Sequence, residues 1–284
     1  MATSSSSAST SEGRLVLVGT PIGNLDDLAP RAVAALAGAD AICCEDTRRT
    51  GRLLAYAGID APALVVVNDH TELAALDGIR ARLARGEVVA VVSDAGMPGI
   101  SDPGERLVAA AVADGVPVEV VPGPSAAVTA LVASGLPAGR FVFEGFLPRK
   151  GSARAQRLAA VATEQRTVVL YEAPHRLART LEDLADACGG DRPVVVAREL
   201  TKRFEEHRRS TLAEAVAHVA DVAPRGEHVV VLAGAEPPPE ADDDDIVRAL
   251  RLLTDAGAST RDAVADVAAA LGVSKRRVYD LATR

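Results

Sequence analysis

The stretch RLVLVGTPIGNLDDLAPRAVAAL, residues 14–36, opens with an apolar run typical of a buried β-strand and closes with the apolar spacing of a helix. Between them lies the turn Gly19–Asn24, and a strand that leads through a glycine turn into a helix often belongs to a nucleotide site. Pro21 in this turn has no N–H to donate to a phosphate, and the turn matches neither the G-x-G-x-x-G nor the P-loop pattern. The turn therefore predicts a ligand other than a pyrophosphate, flat or sulfur-bearing, that packs against the backbone.

The same strand-then-helix pattern recurs along residues 14–135. Short apolar runs rich in β-branched residues alternate there with Ala-, Leu- and Arg-rich stretches of helical period. Fully apolar strands that alternate with helices predict a parallel sheet covered on both faces, in which ligands bind at the carboxyl ends of the strands. The predicted strands are 15–18, 41–44, 64–67, 88–93 and 118–121, and the predicted helices are 30–38, 50–57, 71–85, 103–114 and 124–134.

A second α/β pattern begins near residue 141, after the sequence SGLPAGR. We therefore predict an N-terminal α/β domain over 14–138 and a C-terminal α/β domain over 139–235. Residues 199–212 are mostly polar and are predicted either to extend a strand or to form a surface loop. The predicted strands are 141–146, 167–172, 193–199 and 228–234, and the predicted helices are 152–164, 175–188 and 211–220.

The amino terminus and the composition limit the class of protein. The first residues, MATSSSSASTSEG, lack the basic and apolar segments of a signal peptide and predict a disordered tail over 1–13. No apolar run approaches the roughly 18 residues of a membrane span, so the sequence predicts no membrane association. The 3 cysteines show no zinc-site spacing and are too few for a disulfide framework. A cytoplasmic protein without a metal site is therefore expected.

The charge is concentrated near the carboxyl terminus. The formal net charge is −8, and the run EPPPEADDDD, 236–245, supplies 6 of the negative charges; it predicts a flexible, solvated linker. The segment 246–284 has a helical pattern and a net charge of about +3 by count, with Thr260 and Ser274 predicted to cap helices. This spacing fits either a helix-turn-helix nucleic-acid module or a small helical bundle with a solvated basic face.

The loop after the fourth predicted strand, SDAGMPGISDPG, contains an unusual number of special residues. Asp94 can accept a hydrogen bond from a ribose hydroxyl or an amine, and Gly96 allows the backbone to approach a ligand closely. Asp102 is predicted to cap the helix that starts at residue 103. We interpret this loop as part of a binding site.

Polar side chains also follow the fifth and second predicted strands of the first half and one predicted strand of the second half. After the fifth strand, Pro124 is predicted at the first helical position, which places Ser125 among free N–H groups. The sequence EDTRRT, 45–50, follows a buried strand and is either part of a site or an ordinary solvated loop with ion pairs. LYEAPHR, 170–176, presents further ionisable groups in the second half.

Eight motifs occur in an order and spacing that resemble one protein family. The chain is similar, from about residue 14 to 234, to the ribosomal RNA small-subunit methyltransferase I branch of the tetrapyrrole methylase superfamily, and its helical end resembles that family's C-terminal extension. The motifs are GTPIGNLDDLAPRA, CEDTRRTGRLL, VSDAGMPGISDPG, VPGPSAAVTAL, EGFLPRKG, LYEAPHR, ARELTK and GEHVVVLAG.

The resemblance implies a fold and a function. It implies two α/β domains of tetrapyrrole methylase type, with S-adenosylmethionine (SAM) in the cleft between them, plus a small helical C-terminal domain. It also implies a homodimer that 2′-O-methylates a cytidine of 16S rRNA in the decoding centre of the small ribosomal subunit. The residues that match the family's cofactor pattern are Pro21, Asp94, Gly96, Met97, Ser125, Ala126, Tyr171, Ala197 and Leu200.

Transfer of a methyl group to a ribose hydroxyl calls for a base or a polarising group, because a hydroxyl is a poor nucleophile at neutral pH. Among the candidates, we choose the pair Glu45 and Arg48 first, because Arg48 could also hold a neighbouring phosphate. Lys150 and Glu172 are further catalytic candidates, and Asp46 and His175 are alternatives for the base. The residues expected to bind the RNA are Asp46, Arg49, Arg149, His175, Arg176, Lys202, Lys275, Arg276 and Arg277.

Two other functions fit parts of the sequence. A SAM-dependent C-methyltransferase of a corrinoid or porphyrinoid precursor would share the cofactor turn, but would not need EDTRRT or the basic tail. A DNA-binding regulator would use the helix-turn-helix as its reader and the α/β body as a ligand sensor. A single short basic segment and such rich cleft loops argue against the regulator.

Overall fold

The computed structural model describes residues 12–68, 71–237 and 240–283, so residues 1–11 of the expected tail lie outside the described residues. The chain divides into two compact units, Met1–Ala235 and Glu236–Arg284. None of the helices in the described ranges has the length and apolarity that crossing a membrane requires.

The first sheet is formed by β1 (Arg14–Val18), β2 (Ala41–Cys44), β3 (Ala63–Val66), β4 (Val88–Val91) and β5 (Val118–Val121). Its order is β3-β2-β4-β1-β5, and all its pairings are parallel, as predicted. The carboxyl ends of β2, β4, β1 and β5 therefore lie side by side at one edge. The helices between these strands are α1 (Pro30–Ala37), α2 (Thr47–Tyr56), α3 (Glu72–Ala84), α4 (Glu105–Ala113) and α5 (Ala126–Ser134), and a short 3-10 turn spans Leu25–Asp27.

Local capping moves several helix starts from their predicted positions. α2 begins at Thr47 because the Asp46 carboxylate accepts the N–H of Arg48 at 2.8 Å. The prediction that Pro124 opens a helix was wrong, since α5 begins at Ala126 with Ser125 as its N-cap residue.

The predicted capping role of Asp102 was also wrong. α4 begins at Glu105 after Gly104, whose φ of 131° is open only to glycine. Asp102 accepts instead from the Ser93 hydroxyl at 2.5 Å, which ties the loop after β4 to itself.

The second sheet contains β6 (Phe141–Phe146), β7 (Thr167–Glu172), β8 (Pro193–Arg198), β9 (Glu206–Thr211) and β10 (His228–Leu232), with α6 (Gly151–Thr163), α7 (Pro174–Cys188) and α8 (Leu212–Asp221). Its order is β6-β7-β10-β8-β9. Only β6 and β7 are parallel; the other neighbours are antiparallel. Part of the polar segment 199–212 is thus the edge strand β9, and the rest is mainly the loop that leads into it.

α5 joins the two halves of the first unit. Its buried residues Ala127 and Leu131 share one apolar cluster with Ile22, from the turn after β1, and with Val169 and Val229 of the second sheet. Packing of this kind fixes the turn after β1 next to the second sheet, because interior side chains at crystal-like density do not slide freely.

The helical unit is a three-helix bundle of α9 (Asp243–Asp255), α10 (Thr260–Leu271) and α11 (Lys275–Ala282). Ser259, rather than Thr260, caps α10, while Ser274 caps α11 as predicted. The run 236–245 is not entirely a linker, because Asp243, Asp244 and Asp245 form the first turn of α9. Carboxylates are stabilised there by the helix dipole.

Candidate active site

The loops after β1 and β5 touch through two glycines. A Cβ on Gly19 would lie 2.5 Å from the nitrogen of Gly123, so neither position has room for a side chain. The Gly19 N–H donates to the Val121 carbonyl at 2.9 Å, which continues the β1–β5 pairing into the turn. This contact explains the glycine that opens the turn.

The loop after β4 is bonded to the same turn. The Thr20 hydroxyl donates to the Ser93 carbonyl at 2.7 Å, and the Thr20 N–H donates to the Gly96 carbonyl at 3.1 Å. Gly96 has a φ of 105°, and a Cβ there would lie 2.5 Å from the Pro124 carbonyl oxygen. The Met97 sulfur lies against Gly19. The structure thus brings the predicted cofactor loops together at one edge of the first sheet.

Asp94 lies at this edge with its side chain 18% exposed. Its N–H donates to Oε1 of Glu45 at 3.2 Å, and its carboxylate is 3.6 Å from Nη1 of Arg49. Burial, and then the Glu45 carboxylate, raise the pKa of Asp94 above its ordinary value, while Arg49 opposes that rise. Two carboxylates and one cation therefore share the cleft side of β2 and β4.

The expectation that Glu45 and Arg48 act together in catalysis stays a prediction, but Arg48 has a different partner in the structure. Arg48 pairs with Asp46 at 2.8 Å, because the capping carboxylate of Asp46 faces the side chain two residues further along. The Arg48 side chain is 85% exposed, and its bonds hold the pKa of Asp46 well below the usual range. The two side chains therefore form an ion pair with each other at the start of α2.

Tyr171 connects the second sheet to α5. Its hydroxyl accepts the N–H of Ala127 at 3.2 Å, and its ring lies 5.0 Å from that of Phe143 and 5.7 Å from that of Phe146. Burial raises the pKa of Tyr171, and the hydrogen bonds from Ala127 and Ser125 oppose that rise. The predicted positions Ser125 and Tyr171 are therefore neighbours.

The loop after β8 closes the other side of the cleft. Ala197 is buried in β8, and Leu200 is buried between Glu199 and Thr201, whose φ values are 51° and 63°. Two left-handed non-glycine residues on either side of a single residue are strained and are typical of functional loops. The Thr201 hydroxyl accepts the N–H of Asn24 at 3.1 Å, which ties this loop to the turn after β1.

Lys202, which is expected to bind RNA, forms ion pairs within the protein. Its ammonium lies 2.7 Å from Glu227 and 3.1 Å from Glu199, so it links the loop after β8 to the start of β10. A cavity beside this link separates the first sheet's loops from the second sheet. Its walls come from Ile22, Ala95, Ala126, Leu200, Glu227 and Val229.

A neighbouring cavity on the α2 side includes Thr20, Pro21, Arg49 and Asp94 in its wall. Ala126, Leu200, Pro21 and Asp94 were singled out from the sequence. Ile22, Ala95 and Glu227 were not. Ile22 could have been found, because it lies within the quoted turn.

Glu172 does not face the cleft. Its side chain has no exposed surface, and its Oε1 lies 3.1 Å from Nε of Arg176 and accepts the Ala173 N–H at 2.9 Å. Its Oε2 accepts the Thr180 hydroxyl at 2.6 Å. A carboxylate held by three partners under α7 presents no exposed oxygen to a substrate hydroxyl, so its place is a supporting one, and the expectation that Glu172 acts as a base stays a prediction.

Arg149, Lys150 and His175 are exposed beyond the ends of β6 and β7, and Lys150 is the N-cap residue of α6. A cavity here is lined by Arg149, Arg154, His175, Arg176, Arg179 and Thr180. The sequence did not predict Arg154 and Arg179 as site residues. They lie inside regular amphipathic helices, where a charged residue fits the polar face and does not stand out as a binding residue.

In the helical unit, Lys275 and Arg276 are exposed, whereas Arg277 pairs with Asp243 at 2.8 Å. That pair links the first turn of α11 to the first turn of α9. Among the described residues, no group of three or more His, Cys, Asp or Glu side chains is arranged to hold a metal ion.

The sequence of this chain is similar to that of known proteins over most of its length. Residues 14–216 match the family model of the Tetrapyrrole (Corrin/Porphyrin) Methylases. A relative from Synechocystis sp. called ribosomal RNA small subunit methyltransferase I is 44% identical over 271 residues, which cover 95% of this chain and 97% of that protein. A relative of the same name from Pseudomonas aeruginosa is 46% identical over 276 residues, covering 96% and 97%.

Solved structures show the same fold. Uroporphyrin-III-C-methyltransferase from Thermus thermophilus matches with a TM-score of 0.56 and 26% identity, covering 77% of this chain and 94% of that one. A diphthine synthase matches with a TM-score of 0.60 at 17% identity, covering 77% and 90%. The predicted fold class, two α/β halves of this type with C-terminal helices, is confirmed.

Proposed function

We propose a function from the premise that the chain belongs to the tetrapyrrole methylase family and, within it, to the ribosomal RNA small subunit methyltransferase I group. The protein is a methyltransferase that uses SAM as methyl donor and acts on the RNA of the small ribosomal subunit. One observation carries this: identities of 44% and 46% extend over 95% and 96% of the chain, well past the fold shared with the tetrapyrrole enzymes. Fold alone would not select a substrate.

The finer assignment is the 2′-oxygen of a cytidine in the decoding centre of 16S rRNA. The substrate is the assembled small subunit, and the enzyme works in the cytoplasm as a homodimer. The relatives' shared name supports the choice of RNA, and the exposed cations near the cleft support a polyanionic substrate.

The cleft residues fit SAM. Ile22, Ala126, Leu200 and Val229 offer an apolar wall, and the glycine contact between the loops after β1 and β5 lets backbone approach a ligand. The half-buried Asp94 suits the positive charges of SAM or its ribose hydroxyls. Pro21, Gly96, Met97, Ser125, Tyr171 and Ala197 complete the proposed site.

SAM supplies an electrophilic methyl group on a sulfonium. The chain has to align a ribose hydroxyl with it, keep water out and take up a proton. Glu45 is the proposed proton acceptor, because its carboxylate reaches the same edge as Asp94 and keeps part of its surface exposed. Arg49, rather than Arg48, is the cation beside that pair.

Contacts to the RNA are proposed around the cleft and in the helical unit. Near the cleft, Arg49 and Lys150 extend from the ends of the first and second sheets. In the helical unit, Lys275 and Arg276 present an exposed basic start of α11. Four other candidates form ion pairs within the protein and shape these surfaces: Asp46 with Arg48, Lys202 with Glu227, and Arg277 with Asp243.

The activity is tested by methyl transfer from labelled SAM to unmethylated 30S subunits, free 16S rRNA, a porphyrinoid precursor and duplex DNA in parallel. Label in the 30S rRNA, mapped to a ribose 2′-oxygen of a cytidine, is the expected result. Label confined to the porphyrinoid would favour the C-methyltransferase, and SAM binding with DNA retention but no transfer would favour the regulator.

The helical unit is tested in the full chain with a Lys275→Gln and Arg276→Gln double variant. We expect weaker binding to 30S subunits and a smaller salt dependence, with SAM affinity unchanged. The matched control is Arg251→Gln with Arg261→Gln, which removes the same charge from exposed positions of the same unit. Equal behaviour of the two double variants would rule out a specific grip by α11.

A further inference from the structure

We propose that the cavity between α6 and α7 binds a backbone phosphate of the substrate RNA. We call it the arginine cavity; it is lined by Arg149, Arg154, His175, Arg176, Arg179 and Thr180. The proposal rests on the RNA-methylating function above and assigns a specific contact to it.

The arginine cavity has an excess of positive charge. Its four arginines face no carboxylate in the lining itself. The acids that pair with them are Glu172, bound to Arg176 at 3.1 Å, and Asp183, bound to Arg154 at 2.7 Å. Two cations therefore remain uncompensated by these pairs before His175 is considered, which is the charge balance that an anion needs.

Two of the arginines are fixed by the fold. Arg154 is 4% exposed and donates to Asp183, to the Pro148 carbonyl at 3.0 Å and to the Thr180 hydroxyl at 3.0 Å. Arg176 donates to the Leu147 carbonyl at 2.6 Å. These bonds hold the loop after β6 against α7, so the floor of the cavity is preorganised.

The other two arginines are available to a ligand. Arg179 is 66% exposed, and its nearest carboxylate oxygen, on Asp183, is 3.9 Å away, too far for a hydrogen bond. Arg149 is exposed, and in the described part of the chain the ion pairs of this cavity are made by Arg154, Arg176 and Arg179 instead. Guanidinium groups of this kind match phosphate oxygens in a bidentate geometry.

The backbone adds to the same field. α7 is 15 residues long, and Ala173 at its N-cap provides no side-chain cap. α6 likewise begins after Lys150 without a side-chain cap. α7 opens with Pro174, which has no N–H, and the Glu172 carboxylate already accepts the N–H of Ala173 there. The uncapped N–H groups and the dipole at the start of α6 therefore supply the backbone field that favours a negative charge.

The position of the cavity indicates which anion enters. β6 and β7 are parallel neighbours, and their ends carry Phe146 and Tyr171 on the cleft side and the arginine cavity on the α7 side. The one anionic group of SAM is its carboxylate, and the proposed cofactor cavities share no lining residue with the arginine cavity. We therefore assign this anion site, which begins three residues beyond these strand ends, to the RNA and not to the cofactor. A nucleotide whose ribose enters the cleft would place a flanking phosphate here.

The test is an Arg149→Gln and Arg179→Gln double variant, which spares the two fixed arginines. Its control is Arg140→Gln, which removes one charge from an exposed arginine just before β6, at the opposite edge of the same sheet. We measure KM and kcat on 30S subunits at several salt concentrations, Kd for SAM, and the melting temperature. Inorganic phosphate serves as a competing probe.

We expect the double variant to raise KM for 30S subunits about ten- to hundredfold, with kcat and SAM affinity near the control values. The slope of log KM against log salt should fall by about 0.7, the contribution of one phosphate on a single strand. Inorganic phosphate should inhibit the parent enzyme more than the double variant.

Two results would overturn the proposal. One is a KM and a salt slope equal to those of Arg140→Gln; the other is a loss of SAM affinity, which would make the cavity part of the cofactor site. Failure of the parent enzyme to label any RNA would reject the proposed function, and is distinct from both.

Discussion

Two glutamates at the ends of buried strands have opposite surroundings. Glu45 follows β2 in the first sheet, keeps part of its surface exposed and accepts the N–H of Asp94 at 3.2 Å. Glu172 ends β7 in the second sheet, has no exposed side-chain surface and is held by Arg176, Thr180 and the N–H of Ala173. Sequence alone treats both as candidates for the same chemistry.

The difference separates an accessible carboxylate from one that supports the fold. A base must reach its substrate, so it needs free lone pairs and access. A buried carboxylate with all its partners satisfied instead makes the start of a helix rigid. The first sheet's edge is therefore open and rich in glycine around Glu45, whereas the end of β7 in the second sheet is closed around Glu172 by its paired partners.

The largest effect should come from Glu45→Gln. We expect kcat on 30S subunits to fall by about 100- to 10,000-fold, because the amide cannot take up the proton. The free energy of unfolding should change by no more than about 0.5 kcal/mol, since the amide still accepts the Asp94 N–H. Single-turnover transfer from labelled SAM and urea unfolding measure the two quantities; wild-type turnover would eliminate Glu45 as the base.

Glu172→Gln should show the reverse pattern. Removing one charge from a buried pair should lower the free energy of unfolding by about 3 kcal/mol, because Arg176 loses its partner. Glu164→Gln is the control, since Glu164 pairs with Arg166 at 2.7 Å near solvent, between the end of α6 and the start of β7. Urea unfolding of both variants is the measurement, and equal losses would show that burial is not what distinguishes Glu172.

Gly19→Ala tests the close contact at the open edge. The added Cβ would lie 2.5 Å from the nitrogen of Gly123, so we expect a loss of about 1–3 kcal/mol in unfolding free energy and weaker SAM binding. Gly78→Ala, in the middle of α3 where a Cβ meets nothing within 4 Å, should instead stabilise by about 0.5–1 kcal/mol. Calorimetry with and without SAM checks both; a neutral Gly19→Ala would contradict the contact.

The smallest expected effect is a pH dependence at Asp94. Burial and then Glu45 raise its pKa, so SAM affinity should begin to fall at a higher pH than for an ordinary aspartate as the solution is acidified. Asp94→Asn should weaken SAM binding about tenfold at neutral pH and remove the pH dependence.

The stability should move in the other direction. A folded-state pKa raised above the unfolded value means that Asp94 favours the fold most when protonated, and that this contribution is lost as pH rises through the folded pKa. Asp94→Asn should therefore be somewhat more stable than the parent at neutral pH while binding SAM less well. Titration calorimetry and unfolding across pH measure the two, and a joint loss would contradict the assignment.

Most strands follow from the sequence because buried parallel strands are continuous apolar runs. β1, β2 and β7 were predicted within one residue of their bounds. β9 was left open, since Glu206–Thr211 is a polar edge strand without that signal. The start of α2 was predicted three residues late, because capping by Asp46 depends on local geometry that hydrophobic period does not encode.

The cofactor loops were also predictable, because glycine and proline at strand ends mark backbone conformations that few other residues adopt. Gly96 and Gly19 are examples, each with a close neighbour that excludes a Cβ. The partners of charged side chains were not predictable. Arg48 forms an ion pair with Asp46, and Lys202 forms ion pairs with Glu199 and Glu227.

The sequence by itself determined the alternating α/β architecture, the family and the loops that form the cleft, because local apolar period and turn chemistry are written in consecutive residues. Tertiary structure decided which ionisable groups remain free. Pairing depends on strands and helices far apart in the chain: Glu172 is satisfied through α7, and Arg154 reaches Asp183 across 29 positions. Long-range packing therefore selected Glu45 as the accessible carboxylate and gathered the arginine cavity.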